Sequence, residues 1–207
     1  MERFRAYLGT TQVPARFKLD YPVEKILAYL TEIYKSKVEA REMKFQSDES
    51  LLMLQKVAKW ITGNYKPGLL LYGTVGSGKT TVADSLLKLI VILKPAELPR
   101  RLSALELTSI AKDDYEGFKE VSRAKMLFID DLGEEPLSVK TFGNEITPIV
   151  ELLYTRYEKR LFTVITTNLK EIEIKSLYGE RIEDRIAETF DRLYFNNPSF
   201  RKKNTSI

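Results

Sequence analysis

Residues 73 to 80 read Gly-Thr-Val-Gly-Ser-Gly-Lys-Thr, a glycine-rich turn closed by lysine and threonine at the spacing G-x-x-x-x-G-K-[ST]. The N–H groups of such a turn, added to the positive end of a following helix, form a socket for a polyphosphate. Gly73, Gly76 and Gly78 permit positive φ and close approach of the backbone to the phosphates. Thr74, Val75 and Ser77 complete the turn, and Thr81 carries it into the helix. Lys79 is expected to reach the β- and γ-phosphates and the Thr80 hydroxyl to hold magnesium.

Two further strand ends carry groups suited to the same chemistry. Phe128-Ile129-Asp130-Asp131 closes an apolar run with adjacent carboxylates, which repel unless a cation or water lies between them. Beside a phosphate loop that cation is magnesium. Asp130 is expected to bind it through water, as the partner of Thr80, and Asp131 to orient and polarise the attacking water. The run Thr163-Val164-Ile165-Thr166-Thr167-Asn168 ends in polar residues, and Asn168 is expected to face the γ-phosphate. Phosphoryl transfer also needs positive charge on the equatorial oxygens. Arg181 and Arg185, one helical turn apart, are candidates for it; spacing leaves open whether they serve their own site or a neighbour's. Surface pairs with Glu180, Glu183, Asp184 or Glu188 are the alternative for both.

These groups need a scaffold that gathers strand ends. Leu69 to Tyr72 reads as a buried strand and Thr81 to Leu93 as the helix after the loop. Arg101 to Leu107 is expected as a strand, Ser109 to Val121 as mostly helix, and Met126 to Ile129 as a strand buried on both faces. Thr147-Pro148 predicts a helix start, Leu161 to Thr166 a strand, residues 178 to 190 a helix, and Leu193 to Phe195 a last strand. Strands alternating with helices imply a parallel sheet covered on both faces, with ligands at the carboxyl ends of its strands. Ahead of this core, Val23, Ile26, Leu27, Leu30 and Ile33 predict one helix behind Pro22, and Asp48 a cap for another that Gly63-Asn64 ends. The domain division expected is 1–45 for a connector and helix and 46–207 for the core.

Composition narrows the chemistry. The chain has 207 residues, 43% hydrophobic and 30% charged, enough for one α/β domain with a small extension. With no cysteine and no histidine, disulfides, thiolate nucleophiles, zinc fingers and histidine bases are excluded. A catalytic proton acceptor would be a carboxylate or lysine. No apolar run approaches bilayer length, and Met1-Glu2-Arg3-Phe4-Arg5 leads into no apolar stretch, so a cytoplasmic protein is expected. The net charge of +4 permits contact with nucleic acid without arguing for it.

Together these motifs resemble the AAA+ ATPases, and among them the clade of DnaC-type helicase loaders and IstB-type transposition helpers. Residues 73–80 match Walker A, and Met126 to Gly133 (MLFIDDLG) match that clade's Walker B. Arg156 to Leu169 (RYEKRLFTVITTNL) is similar to its helix, strand and sensor-1 segment, and Gly179 to Arg185 (GERIEDR) resembles box VII. The segment ending Phe195-Asn196-Asn197-Pro198-Ser199-Phe200-Arg201 resembles the clade's closing stretch.

The resemblance implies an AAA+ fold with a five-stranded parallel sheet, a short helical N-terminal extension and little or no C-terminal lid. It implies ATP and Mg²⁺ bound between subunits of an ATP-dependent homo-oligomer. Asn168 would be sensor 1, Arg185 the arginine finger with Arg181 as second candidate, and Arg201 a nucleotide contact in a sensor-2-like place. The implied activity is ATP hydrolysis by a loader or matchmaker on DNA, in replication or transposition. Its protein partner would be a replicative helicase or a transposase. Two other readings stand beside it: a nucleotide-controlled assembly module with little turnover, and a small-molecule or nucleotide kinase.

Overall fold

A computed structural model of the chain describes residues 16–42, 47–63, 65–141 and 143–196. Arg201, the basic pair Lys202-Lys203 and Asn64 lie outside the described residues. No helix among those described is long and apolar enough to cross a membrane.

Two helices come first, α1 (Val23–Glu39) and α2 (Ser47–Thr62). The strand β1 (Gly68–Gly73) runs into the phosphate loop and then α3 (Lys79–Leu93). There follow β2 (Arg100–Ser103), α4 (Ala104–Asp113), α5 (Tyr115–Ser122) and β3 (Met126–Leu132). A short hairpin of β4 (Val139–Thr141) and β5 (Asn144–Ile146) leads to α6 (Pro148–Glu158) and β6 (Phe162–Thr167). The described part ends with α7 (Glu171–Tyr178), α8 (Glu180–Thr189) and β7 (Phe190–Phe195). The main sheet is five-stranded, ordered β2-β3-β6-β1-β7, and every pairing in it is parallel.

Strands buried on both faces need apolar cover on both. On one face, Leu69 and Leu71 of β1 and Phe128 of β3 pack with α3 and with Ile26, Leu30, Tyr34 and Val38 of α1 and Leu54, Val57 and Ile61 of α2. The N-terminal helix thus shares its core with the helix of the phosphate loop. Residues ahead of it are fastened too. Leu19 is fully buried and donates its N–H to Ile61 O, and Arg16 lies 4.3 Å over the Trp60 ring. On the other face, Leu70, Leu127, Ile129 and Ile165 pack with Leu107, Ile149, Leu152, Ile182 and Ile186.

Several expected boundaries shift, each for a local reason. The second strand stops at Ser103 and Leu107 is helical, because Ser103 and Glu106 form a reciprocal capping box that opens α4. The single helix expected over 109–121 is two, broken where the Asp114 carboxylate accepts the Gly117 N–H at 3.0 Å. The helix expected over 178–190 is α8, which starts after Gly179 at φ 91°; α7 ahead of it was not expected, and the last strand begins at Phe190. Asp48 lies inside α2 rather than ahead of it. The hairpin was unforeseen, since its strands are only three residues each.

Arg156 locks the site-bearing layers together. Its guanidinium, 2% exposed, donates to Thr163 Oγ1 (2.7 Å), Phe162 O (2.6 Å), and Ser122 O and Ala124 O (both 3.0 Å). Burial pushes its pKa down to about 9, so it remains charged at neutral pH. One side chain therefore joins α6, the start of β6 and the connection into β3. Arg156→Met would leave those acceptors buried without a donor, an expected loss of about 3 kcal/mol. Thermal unfolding should show it as a midpoint roughly 10 °C lower, with Arg156→Lys intermediate.

Candidate nucleotide site

The phosphate loop leaves β1 at the carboxyl edge of the sheet, between β6 and β7. Gly73 must be glycine for two reasons. Its φ is 131°, and a Cβ there would lie 2.0 Å from the Phe195 carbonyl oxygen. Phe195 O also accepts the Thr74 N–H at 3.0 Å, so the end of β7 braces the loop's entry. Ser77, almost fully buried, donates its hydroxyl to Thr74 O at 2.7 Å and closes the turn internally. Val75 stands out at the tip. Gly78, at φ 95°, is the left-handed residue from which α3 starts.

Lys79 is 5% exposed, and its ammonium bridges the start of the loop and the end of β6. It donates to Gly73 O (2.9 Å), Thr74 O (2.7 Å) and Asn168 Oδ1 (2.9 Å). An ammonium only donates, so the Asn168 oxygen must be the atom turned toward it and the NH₂ is directed elsewhere. Thr80 donates to Asp130 Oδ1 at 3.1 Å. That same oxygen accepts the Thr166 hydroxyl at 2.5 Å, and Thr166 Oγ1 in turn accepts the Asp131 N–H at 3.0 Å. The loop, the end of β3 and the end of β6 are therefore joined through their side chains.

The two acids sit in a β-bulge. Ile129 pairs with Ile165 and Leu132 with Thr167, so β3 carries one residue more than β6 across this interval. The extra residue breaks the alternation that would send neighbouring side chains to opposite faces. Asp130 stays on the α3 face while Asp131, at φ 52°, is exposed. Aspartate and asparagine tolerate this left-handed conformation better than longer side chains do, which gives a backbone reason for Asp rather than Glu at 131. Beyond the bulge, Gly133 (φ 103°) donates to the buried carboxylate of Glu135 at 2.8 Å, and that carboxylate also accepts the Tyr178 hydroxyl. Burial first, and Glu135 second, push the Tyr178 pKa far up, so it stays a donor. These contacts fix the chain on the far side of the two acids.

The arginines of α8 differ in placement. Arg185 is half-buried, its guanidinium 3.9 Å over the Tyr154 ring and 4.7 Å from that of Tyr157, both on α6. Its Nη1 is buried without a hydrogen-bond partner. Arg181, one turn earlier, is exposed.

Two basic residues near the loop had no motif to announce them. Arg41, just past α1, donates to Thr81 Oγ1 at 3.0 Å and brings a guanidinium to the first turn of α3. Arg101 on β2 contacts both Asp130 and Asp84. Neither has a sequence signal, because each comes from a different element and meets the loop only through the fold.

The donor set fits magnesium held together with phosphates. Among the described residues no group of three carboxylates, cysteines or histidines gathers to make an all-protein cage. A hydroxyl and a carboxylate in contact, Thr80 and Asp130, suit a hard cation that takes its other ligands from phosphate and water.

This strand order, with a phosphate loop after β1, paired acids near the end of β3 and a polar end to β6, is that of the AAA+ type of P-loop fold. The chain superposes on the crystal structure of the DnaC helicase loader with a TM-score of 0.60 and 23% identity, over 74% of this chain and 94% of that one. DnaI gives a TM-score of 0.58 at 18% identity, over 90% of this chain and 97% of that one. AMPPCP-bound DnaA from Aquifex aeolicus gives 0.52 at 19% identity, over 73% and 48%. At these identities the likeness is one of fold. By sequence, no family model and no curated protein matches the chain.

Proposed function

We propose that this chain is a magnesium-dependent AAA+ ATPase acting as an ATP-controlled loader or matchmaker on DNA, in replication or transposition. The observation that carries the reading is the paired contact across the crevice, Lys79 on Asn168 and Thr80 on Asp130. In this reading the N–H groups of residues 73–80 cradle the phosphates. Lys79 exchanges its loop carbonyls for phosphate oxygens and stays tied to Asn168, which reports the state of the γ-phosphate. Thr80 and Asp130 hold magnesium, which would neutralise charge on the phosphates when bound. Asp131 orients the attacking water. Arg201 contacts the nucleotide. The fold of the DnaC helicase loader and of AMPPCP-bound DnaA supports this assignment of class.

Residues 46–207 form the ATPase core in this proposal, with 1–45 as a bracing connector and helix. The protein works in the cytoplasm as an ATP-dependent homo-oligomer, with a helicase or transposase as partner and DNA as the substrate of the assembly. Arg185 serves the neighbouring subunit's γ-phosphate and Arg181 is the second candidate for that role. A direct test mixes Arg185→Ala with Asp131→Asn subunits. Each alone is expected to lack ATPase activity, and the mixture to regain part of it at interfaces that combine an intact Asp131 with an intact Arg185. A mixture as inactive as its components would count against a shared site.

A second reading, a nucleotide-dependent assembly switch with little turnover, is favoured by the stacking of Arg185 on Tyr154 and Tyr157 of its own chain. Tight ATP binding without measurable hydrolysis, with DNA and partner present, would select it.

A further inference from the structure

The carboxylate of Asp130 divides its two oxygens between different partners. Oδ1 accepts the hydroxyls of Thr80 and Thr166. Oδ2 accepts Arg101 Nη2 at 2.6 Å, a charge-assisted contact. Nε of the same guanidinium reaches Asp84, 2.7 Å from its Oδ1. Asp84 stands four residues after Thr80 on α3, so both lie on one face of that helix. A closed ring results: Thr80, Asp130, Arg101, Asp84, and back to Thr80 through a turn of helix. Its carboxylates are 14% and 19% exposed, against 40% for Arg101, so the acids are shielded enough for a neighbouring fixed charge to act on them. Nothing in the phosphate-loop motif calls for an arginine on β2. Its placement on the sheet-edge strand, paired in register with Phe128, is what delivers it to the end of β3.

We propose that Arg101 is a built-in counter-cation of the metal carboxylate, which fixes the Asp130 rotamer and lowers the site's demand for magnesium. This rests on the reading of the site as one for a triphosphate with magnesium. A guanidinium on Oδ2 leaves Oδ1 as the metal-facing oxygen, but it spends part of the carboxylate's charge and repels a dication approaching from the other side. Asp84 works against it by sharing the guanidinium. Without Asp84, the whole charge of Arg101 would fall on Asp130. The two partners of the ring should therefore shift the metal dependence in opposite directions, whereas a purely structural ring would shift it the same way from either side. Arg101 is in this sense a positioning residue, acting through Asp130.

The test measures the affinity of the full chain for a non-hydrolysable, fluorescent ATP analogue with magnesium and with EDTA, and takes the ratio of the two. That ratio is the coupling between metal and nucleotide and is independent of turnover. Arg101→Met is expected to raise it on the order of fivefold, Asp84→Asn to lower it, and Arg101→Lys to stay near the unaltered protein. An unchanged ratio in both, or a shift of the same sign in both, would overturn the proposal. If Arg101→Met does not fold, Asp84→Asn decides, since an unchanged or higher ratio there contradicts the counter-cation role. An unaltered protein that binds the analogue under neither condition would instead refute the triphosphate site itself.

Discussion

Lys79→Ala is expected to reduce ATP binding by 100-fold or more, to the limit of detection in a fluorescence titration. Among the described residues Lys79 is a buried cation at the mouth of the loop whose bonds reach both sides of the crevice, Gly73 O and Thr74 O on one side and Asn168 Oδ1 on the other. A hydrogen bond to a charged group contributes about 1.5–3 kcal/mol, and phosphate would take over at least one of these. In the proposed site alanine removes the charge that would offset the γ-phosphate, and it takes one donor from each of two loop carbonyls, of which Thr74 O keeps the Ser77 hydroxyl. It also frees Asn168 from its anchor. A lysine that merely braced the loop would give a different result, a lower unfolding midpoint with affinity intact. Lys79→Arg separates the two roles further, since it keeps the charge but cannot fit its fork into a space shaped by an ammonium.

Asp131→Asn is expected to slow hydrolysis by about 100-fold or more while ATP affinity changes by less than about twofold. The substitution removes the carboxylate's ability to polarise water while keeping a side chain of nearly the same size. Asparagine tolerates the left-handed backbone that Asp131 adopts at φ 52°, and the N–H bond to Thr166 is retained. Single-turnover hydrolysis beside equilibrium binding would check it. A loss of binding equal to the loss of rate would place Asp131 among the ligand contacts instead. Asp131→Glu offers a sharper comparison. It keeps the charge and lengthens the reach, yet it puts a longer side chain on a positive-φ residue at a cost of about 1 kcal/mol. Its rate therefore reports whether position or charge is limiting.

The parts of the candidate site were recognisable because each is local. The phosphate loop is eight consecutive residues, the acids are adjacent, and Asn168 closes an apolar run, so each could be recognised without knowing where the others lie. The parallel sheet followed from the alternation of strand and helix for the same reason. Boundaries went astray where a side chain out-competed periodicity, as when the Ser103–Glu106 capping box ended a strand that Leu107 looked able to continue. That signal is in the sequence, as Ser-x-x-Glu, and it outweighs the apolar pattern because a satisfied helix start offers the backbone hydrogen bonds that an edge strand lacks on one side.

The sequence by itself determined which residues are candidates to bind a polyphosphate and which kind of sheet carries them, because both depend on groups a few positions apart. Only the tertiary structure decided the rest. It brought Thr80 to Asp130 across 50 positions and Lys79 to Asn168 across 89. It turned Asp131 into a bulge and stacked Arg185 on Tyr154 and Tyr157. It set Arg101 on the Asp130 carboxylate and Arg41 on Thr81. Strand order places those partners, and strand order comes from the packing of whole faces, a property that no short window of residues contains.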